Sequence, residues 1–417
     1  MTMVRRRLGQ GDFDMFAAAH ERFVTGKPGG RKLSLKFVDL TGISMAHRIL
    51  DDADFSGSVL ENCNLAGAKL ERAILFGCDL RGADFTRASL KRADLRGACL
   101  QGADLSEADL TQADFREGVI AVPHETKGLA AARNETRMGQ ADGARFSGAT
   151  LDGSRFDGVS ACKADFTDCS MRGARLTGAN LKDADLSGAL LEGADVGGAN
   201  LAGARLVGAI LTGVVMERAR LDKTDTTGAV REPTKAAIAR AEDLYQKALD
   251  ANAWAESGGV LGEPAILDGE DLRPLGDRLK GLKLSAMSAK GACLAGLDLR
   301  GAQLQGANFE KADLRGALMG KADLRGARFG EALMTKVDLT AADISPLPLG
   351  PTRSIPASLG GARMRYAVLT RTDLSKANLA GADMLGADLA GALLDGANLV
   401  EARLDRVTGL KVAAVAA

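Results

Sequence analysis

The stretch ADLRGACLQGADLSEADLTQADF, residues 93–115, repeats every five residues. A large apolar residue stands at each fifth position, and an alanine stands two positions before each of them. The large residues are Leu95, Leu100, Leu105, Leu110 and Phe115. Helices repeat every 3.6 residues and strands every two residues, so this stretch predicts neither element in its ordinary form.

The five-residue spacing extends over about two thirds of the chain, through 35–120, 146–221, 284–344 and 364–404. Such a period fits a backbone that bends by about a right angle in each repeat, so that four repeats close one coil. Coils would stack at the spacing of neighbouring strands, roughly 4.8 Å. The large residue and the alanine would point inward, and the other three residues outward. The sequence therefore predicts an all-β solenoid, a quadrilateral β-helix.

Glycine and proline support this prediction independently. Glycine recurs just ahead of the inward alanine, as at Gly67 and Gly82, where a type II turn requires a positive φ. Proline cannot donate to a ladder of hydrogen bonds, and all nine prolines lie outside the four repeat runs. The glycines therefore indicate turns, and the prolines mark the breaks between runs.

The segments ADLRG, ANLKD, ADLSG and ANLAG resemble the pentapeptide-repeat family, whose pattern is A(D/N)LXX. The resemblance covers about two thirds of the chain. It implies a right-handed, four-sided β-helix. The predicted core contains the five large residues of the opening stretch and also Phe146, Phe166, Leu181, Phe309 and Phe329. Because Phe146 and Phe166 are twenty residues apart, as are Phe309 and Phe329, each pair of rings is expected to stack.

The breaks divide the chain into five predicted segments: an N-terminal helix and cap (1–34), a first β-helix (35–226), a helical insertion or cap (227–283), a second β-helix (284–404) and a C-terminal tail (405–417). Two loops interrupt the β-helices. The loop at 121–143 is polar and irregular and shifts the frame. The loop at 345–361 keeps the frame, because Ile344 and Met364 are twenty residues apart, which predicts a loop that replaces part of one coil.

Two short helices are predicted, one ahead of each β-helix. The first would be capped by Asp12 and would carry its apolar side on Phe13, Phe16, Ala17 and Val24. The second would carry Ile238, Ala241, Tyr245, Ala248 and Leu249 on one stripe. Each is followed by a hinge rich in glycine and proline, which indicates an internal duplication. Covering the open end of a β-helix is the expected role of both helices, and docking of a partner is the alternative.

Composition excludes several classes of function. The 54 basic and 54 acidic residues balance, so nothing predicts binding to nucleic acid or to an anionic membrane. No stretch approaches eighteen apolar residues, and the basic start MTMVRRRLGQGDF has no apolar segment behind it, so neither a membrane span nor secretion is predicted. Cys63, Cys78 and Cys169 occupy inward alanine positions, which favours packing over disulfides or metal. We expect a cytoplasmic protein.

No motif indicates catalysis, a cofactor or a metal. The three histidines lie in three different segments. GALMGK, residues 316–321, is one residue short of a phosphate loop and lies inside the repeat. GKPGGRK, residues 26–32, could hold an anion, but it is better explained as the hinge before the first coil. We therefore predict a protein that is not an enzyme.

The candidate interaction surface lies on the outward columns of the first run. Asp94 and Asp114 would lie one above the other, beside a column that holds Phe76, Arg96 and Arg116. The family resemblance implies one specific alternative, a DNA-mimicking modulator of a type II topoisomerase (gyrase or topoisomerase IV) of the quinolone-resistance type. A DNA mimic needs a continuous negative face, and these columns are mixed. We therefore predict a protein-binding scaffold, for which a homodimer is an option.

Overall fold

The computed structural model describes residues 5–124 and 128–410, without the side chains of 122–132. The repeat regions are held by parallel bridges between residues that are mostly twenty positions apart. The bridges recur at every fifth residue, so each coil has four sides. The first two coils are joined by the bridges Ser34–Asp54, Asp39–Val59, Ser44–Asn64 and Ile49–Lys69.

One repeat illustrates why the chain turns at each corner. The Ala68 N–H donates to the carbonyl of Leu65 at 3.0 Å and closes a four-residue turn. The third residue of this turn, Gly67, has φ of 63°, as a type II turn requires. The Leu65 N–H donates to the carbonyl of Asp84 in the next coil at 2.6 Å. The turn bond therefore makes the corner, and the second bond joins the coils.

The chain forms two compact units, Met1–Glu232 and Pro233–Ala417. The first has one apolar core, in which the following predicted residues are buried: Leu95, Leu100, Leu105, Leu110, Phe115, Phe146, Phe166 and Leu181. The second core buries Phe309 and Phe329. As the spacing of twenty predicts, the rings stack, with centroids 4.8 Å apart for Phe146 and Phe166 and 5.2 Å apart for Phe309 and Phe329.

The first unit begins with strand β1 (Arg6–Arg7) and helix α1 (Gln10–Val24), and β1 pairs in parallel with β2 (Val38–Asp39). Gly9, and not Asp12, is the N-cap of α1. The helix buries Phe13, Ala17 and His20, so the predicted apolar side is confirmed at Phe13 and Ala17. It is wrong at Phe16 and Val24, which are 38% and 37% exposed. The error has a physical cause: a polar histidine completes the buried face, because its ring nitrogens have partners in the first coil.

The second unit begins with helix α2 (Lys235–Glu256), and the Oγ1 of its N-cap, Thr234, accepts a hydrogen bond from the Ala237 N–H. The buried side chains are Leu244, Ala248 and Ala251. Ile238 is 57% exposed, so the predicted stripe is wrong at that end. The buried face lies on the C-terminal two thirds of the helix, near a short 3₁₀ helix (Arg273–Leu275).

The coils of the second unit start earlier than the predicted residue 284. Leu267, Leu272 and Leu279 are already buried in the second core. The bridge from Ile266 to Ser288 spans 22 residues instead of twenty. Because this first coil is longer than the others, a strict count of five cannot detect it. The segment 227–283 is therefore only partly a helical cap.

The first interruption is an ordered antiparallel hairpin and not an irregular loop. It comprises β3 (Gly118–His124) and β4 (Gly128–Arg137). The spacing predicts Ile120 as a core position of the coils, but Ile120 is buried outside the first core. Ala141 falls within the predicted loop but lies inside that core. The hairpin accounts for the shift of frame, because Cys99 bridges to Gln140 instead of a residue twenty positions on.

The second interruption is a shorter hairpin, formed by β5 (Leu347–Pro348) and β6 (Ser354–Ile355). Asp343 bridges to Asp373, thirty residues on, so the hairpin adds ten residues and does not replace part of a coil. Leu359 falls within the predicted loop but lies in the second core. Ten is a multiple of five, so an insertion of this length leaves the frame unchanged and cannot be recognised from spacing.

The C-terminal end of the first unit's coils is less buried than the spacing predicts. Leu221, the last large residue of the second run, is 44% exposed. The Leu211 N–H donates to the carbonyl of Val230. This is the last carbonyl of the first unit that accepts a hydrogen bond from a core residue. The predicted tail, 405–417, lies outside the described residues from 411 onward.

Candidate interaction surface

Asp94 and Asp114 are bridge partners in neighbouring coils. The carboxylate of each accepts hydrogen bonds from the arginine two residues further along the chain. Arg96 donates from Nε and Nη2 to Asp94 at 2.9 and 2.7 Å, and Arg116 holds Asp114 at the same distances. Burial opposes ionisation of Asp114, but the bonds from Arg116 hold the pKa of its carboxyl below the usual value. The bond to Asp94 raises the pKa of Arg96. The surface therefore presents neutral pairs.

The same pair recurs in both units. A residue at the bridge position and the residue two places on both face outward on one side of a coil, so an Asp-x-Arg sequence brings a carboxylate against a guanidinium in bidentate geometry. The hydrogen bond from Arg300 lowers the pKa of Asp298 to about 2. Further pairs of this kind are Asp79–Arg81, Asp271–Arg273, Asp313–Arg315 and Asp323–Arg325.

Phe76 is covered by the first hairpin and by Arg96. The Arg96 guanidinium lies 5.2 Å from the centroid of the Phe76 ring. Gly118, the first residue of β3, approaches the ring so closely that a Cβ there would lie 2.6 Å from Phe76 Cε2. Phe76 is half-buried as a result. It supports the hairpin and is not an open contact point for a partner.

The hairpin folds back along a row of corners that carry glycine. A Cβ on Gly77 would lie 2.7 Å from Ile120 Cδ1, and one on Gly97 would lie 3.1 Å from Arg137 Cβ. Arg137 Nη1 donates to the carbonyl of Gly77 at 2.7 Å. We call the set Phe76, Gly77, Arg96, Ile120 and Arg137 the hairpin corner. Only glycine at the corner leaves room for this close approach.

The second hairpin is seated in the same manner. A Cβ on Gly326 would lie 2.7 Å from Leu347 Cβ, and one on Gly306 would lie 3.7 Å from Leu347 Cδ2. These two glycines are twenty residues apart and occupy one corner of neighbouring coils. In both units an apolar side chain near the start of a hairpin therefore packs on a glycine row.

Sequence reasoning missed Ile120 and Arg137 as members of this surface. A signal for them was present, because Gly57, Gly77 and Gly97 recur at twenty-residue intervals just ahead of the insertion. A corner without side chains over three coils leaves a flat strip. Such a strip leaves room for another segment to pack there.

The described residues hold no group of His, Cys, Asp and Glu that could bind a metal ion. All six cysteines are free, and burial raises the pKa of Cys63 to about 11 and that of Cys78 to about 12, so both are thiols at neutral pH. In GALMGK, Ala317 and Met319 are fully buried, so this stretch cannot cradle a phosphate. No helix in the described part of the chain could span a membrane.

Comparison with known proteins agrees with the repeat. The model of the Pentapeptide repeats family matches in eight copies, which together cover more than half of the chain, within 39–112, 142–228, 288–320 and 357–408. None of the curated proteins compared with the chain matches it significantly.

Three solved structures illustrate the likeness. A pentapeptide repeat protein of the Arabidopsis thaliana thylakoid lumen is 31% identical over 25% of this chain and 75% of its own, with a TM-score of 0.22. QnrB1, a plasmid-mediated fluoroquinolone resistance protein, is 17% identical over 50% of this chain and 95% of its own, with a TM-score of 0.20. HetL, involved in heterocyst differentiation regulation in the cyanobacterium Nostoc sp. strain PCC 7120, is 22% identical over 93% of both chains, with a TM-score of 0.14.

The repeat spacing, the four-sided coils and the extent of the family match agree with one another. The fold of this family is the right-handed quadrilateral β-helix. The chain belongs to the pentapeptide-repeat family.

Proposed function

We propose that the protein is a non-enzymatic scaffold that binds a protein partner at the first hairpin and the flat side next to it. The observation that carries the proposal is the hairpin corner, where Ile120 and Arg137 fix the hairpin onto the coils. A segment that is already fixed loses little conformational freedom when a partner binds. The hairpin is thus suited to recognition.

Exposed apolar side chains at the base of the hairpin support the proposal. Val119 is 58% exposed and Met138 is 52% exposed. Both lie next to the paired charges of Arg116 and Asp114 and of Arg137 and Glu135. Apolar anchors inside a polar rim are the usual anatomy of a protein interface.

The paired columns favour this scaffold over the DNA-mimicking alternative. A mimic of DNA presents unpaired negative charges in rows, whereas Asp94 and Asp114 each hold an arginine. The same neutral pairs offer no basic track to phosphates, so direct binding of nucleic acid is not proposed either. Six free cysteines suit a reducing compartment, and we propose that the partner is met in the cytoplasm.

The experiment compares the full chain with a Val119→Asp, Met138→Asp variant in capture from cell extract, with Lys182→Asp as the control on another side. We expect one specific partner to bind the wild type and the control and to be lost from the double variant. Equal capture by all three proteins would overturn the proposed surface. Sedimentation of the same proteins tests for a homodimer.

A supercoiling assay tests the alternative. We expect purified gyrase and topoisomerase IV to be unaffected by the protein. Inhibition of either enzyme at near-equal amounts of protein would favour the DNA-mimicking modulator. Tight, salt-sensitive binding to duplex DNA would contradict both functions.

A further inference from the structure

The first coil has no coil before it, so its outer backbone groups need other partners. β1 serves one side, where the Leu8 N–H donates to the carbonyl of Asp39 at 3.0 Å. The Gln10 carboxamide serves the second side, because its Oε1 accepts from the Ser44 N–H and its Nε2 donates to the Ser44 carbonyl, both at 2.9 Å. On the third side, Glu21 Oε1 accepts from the Ile49 N–H at 3.4 Å.

The fourth side, at Ser34, is left open. The Leu35 N–H donates to Asp54 O at 2.7 Å, and the Leu33 carbonyl accepts from the Asp54 N–H at 3.1 Å. Since amide groups alternate in direction along a strand, those of Ser34 point away from the coils. Ser34 is exposed, and no described residue bonds its N–H or its carbonyl. Unpaired strand groups of this kind are a template for another strand.

An apolar groove runs beside this edge. It has a volume of about 220 Å³, and α1 contributes Phe16 and Ala19 to one wall. Leu33 and Leu35 contribute apolar surface from the coil. The groove explains why Phe16 remains 38% exposed on a helix that buries Phe13 next to it. Apolar side chains of an added strand would find their place here.

The rim of the groove is basic. Arg31 and Lys32 line it and are exposed. Neither forms an ion pair with a carboxylate within the part of the chain that the structure describes, whereas Lys36, four residues after Lys32, is held by Asp54 at 2.7 Å. Arg31 and Lys32 therefore place positive charge at the rim of the groove. They complement a negative ligand.

We propose that the Ser34 edge binds an extended acidic segment of a partner protein by strand addition. Lys32 and Ser34 face outward and Leu33 and Leu35 inward, so an added strand must alternate in the same way. Residues opposite the leucines are apolar and enter the groove, and residues near Lys32 and Arg31 are acidic. The recognised segment therefore carries two apolar residues with one residue between them, and an acidic residue at the end near Lys32 and Arg31. Because a strand can add in either direction, a peptide with acidic residues at both ends serves both alignments.

This site deepens the proposed scaffold function by naming a partner chemistry, and it is formed by residues other than those of the hairpin corner. The two are tested separately. Loss of peptide binding at Ser34 leaves capture through Val119 and Met138 unaffected, and the reverse also holds.

The test titrates the full chain with a fluorescent peptide that contains Glu-Val-Ser-Ile-Glu. In strand pairing, the N–H groups of alternate peptide residues point toward the neighbouring strand. N-methylation of a residue whose N–H points toward the Ser34 edge removes a hydrogen bond, and N-methylation of the next residue does not. We expect saturable binding that weakens about tenfold for the first methylated peptide and hardly changes for the second. A scrambled peptide should bind at least about tenfold more weakly.

Variants and hydrogen exchange complete the test. Arg31→Glu with Lys32→Glu should weaken peptide binding about tenfold or more, and Lys182→Glu, an exposed lysine elsewhere, should not. The Ser34 amide should become protected from exchange when the peptide is bound. Equal binding of the scrambled and both methylated peptides would overturn the proposal, because charge alone would explain it. Binding to vesicles containing phosphatidylserine, with none to the peptide, would overturn it in favour of a membrane.

Discussion

The two units cover their first coils with different side chains but by one principle. In the first unit, Gln10 of α1 bonds both backbone groups of Ser44. In the second unit, Asn252 of α2 accepts from the Lys283 N–H at 2.9 Å. In both cases a carboxamide on the helix takes the place of a missing strand. Each cap is specified by hydrogen bonds to an open edge and not by apolar residues alone.

The two hairpins differ in length, but both pack on a row of glycines. The first shifts the frame of the repeat, and the second adds ten residues and preserves it. Ile120 packs on Gly77 in one unit, and Leu347 packs on Gly326 in the other. In each unit a glycine row leaves room for the hairpin, and the entropic cost of a longer loop rises only slowly with its length. Each unit thus contains a helix, coils and a hairpin that packs on glycines.

The largest expected effect compares the two cores. Leu181→Asp in the first unit and Leu314→Asp in the second each place an unpaired carboxylate in a dry interior, because both leucines are fully buried. We expect each change to cost more than about 4 kcal/mol and to abolish folding of the affected unit. Circular dichroism and denaturant titration measure this.

The control is Lys182→Asp, at an exposed position next to Leu181. It should change stability by no more than about 0.5 kcal/mol. Similar losses for Leu181→Asp and Lys182→Asp would contradict the assignment of inward and outward positions.

The seats of the hairpins provide the next comparison. Gly77→Ala and Gly326→Ala each place a Cβ 2.7 Å from a hairpin side chain, whereas Gly102→Ala meets nothing within 4 Å. All three positions have φ between 62° and 66°, so each variant bears the same cost of a left-handed backbone, about 1–2 kcal/mol. We expect Gly77→Ala and Gly326→Ala to lose about 1 kcal/mol or more of unfolding free energy beyond this shared cost, because each new Cβ crowds a hairpin side chain.

Limited proteolysis locates this loss. Cleavage between 118 and 137 should accelerate in Gly77→Ala, and cleavage between 347 and 355 in Gly326→Ala. If Gly102→Ala is as destabilising as the other two variants and its hairpins are cleaved as fast as theirs, the hairpins do not depend on packing against Gly77 and Gly326.

The sequence predicted the coils because each inward position is obligatory: Leu95 or Leu181 cannot turn outward without opening the core. Other features are missed by a strict count of five residues. The ten-residue hairpin preserves the count of five, and the 22-residue coil from Ile266 to Ser288 departs from it. The outward column predicts an exposed Phe76, but Gly118 of the first hairpin, 42 residues further along the chain, covers its ring. Spacing reports the coils, whereas the interaction surface depends on segments that interrupt them.

Smaller effects are expected at the caps. Gln10→Ala and Asn252→Ala each leave the amide of a first coil without its partner, which should cost about 1 kcal/mol. The control is Gln246→Ala on α2, since Gln246 bonds only the exposed Asp250 in the described part of the chain. Hydrogen exchange should accelerate at Ser44 in the first variant and at Lys283 in the second. Unchanged exchange at both amides would show that the carboxamides do not secure the edges.

The smallest effect separates the two caps by pH. His20 is fully buried, its Nδ1 accepts from the Leu33 N–H at 3.0 Å, and its Nε2 therefore carries the proton and faces the Asp51 carbonyl at 2.9 Å. A second proton would displace the bond from Leu33, and burial lowers the pKa of His20. Above the pKa of an unfolded histidine, about 6.5, neither state binds the proton.

As the pH falls below about 6.5, the unfolded chain takes up this proton before the folded one, so the first unit loses stability until the pH reaches the lower pKa of folded His20. The second cap relies on Asn252, which does not titrate. Acidification from pH 7.5 to 5.5 should therefore accelerate hydrogen exchange at Leu33 more than at Lys283. In His20→Gln the exchange rate at Leu33 should differ less between the two pH values, even though the variant is less stable at both. If Leu33 exchanges alike at both pH values in the wild type after correction for intrinsic rates, protonation of His20 does not loosen this cap.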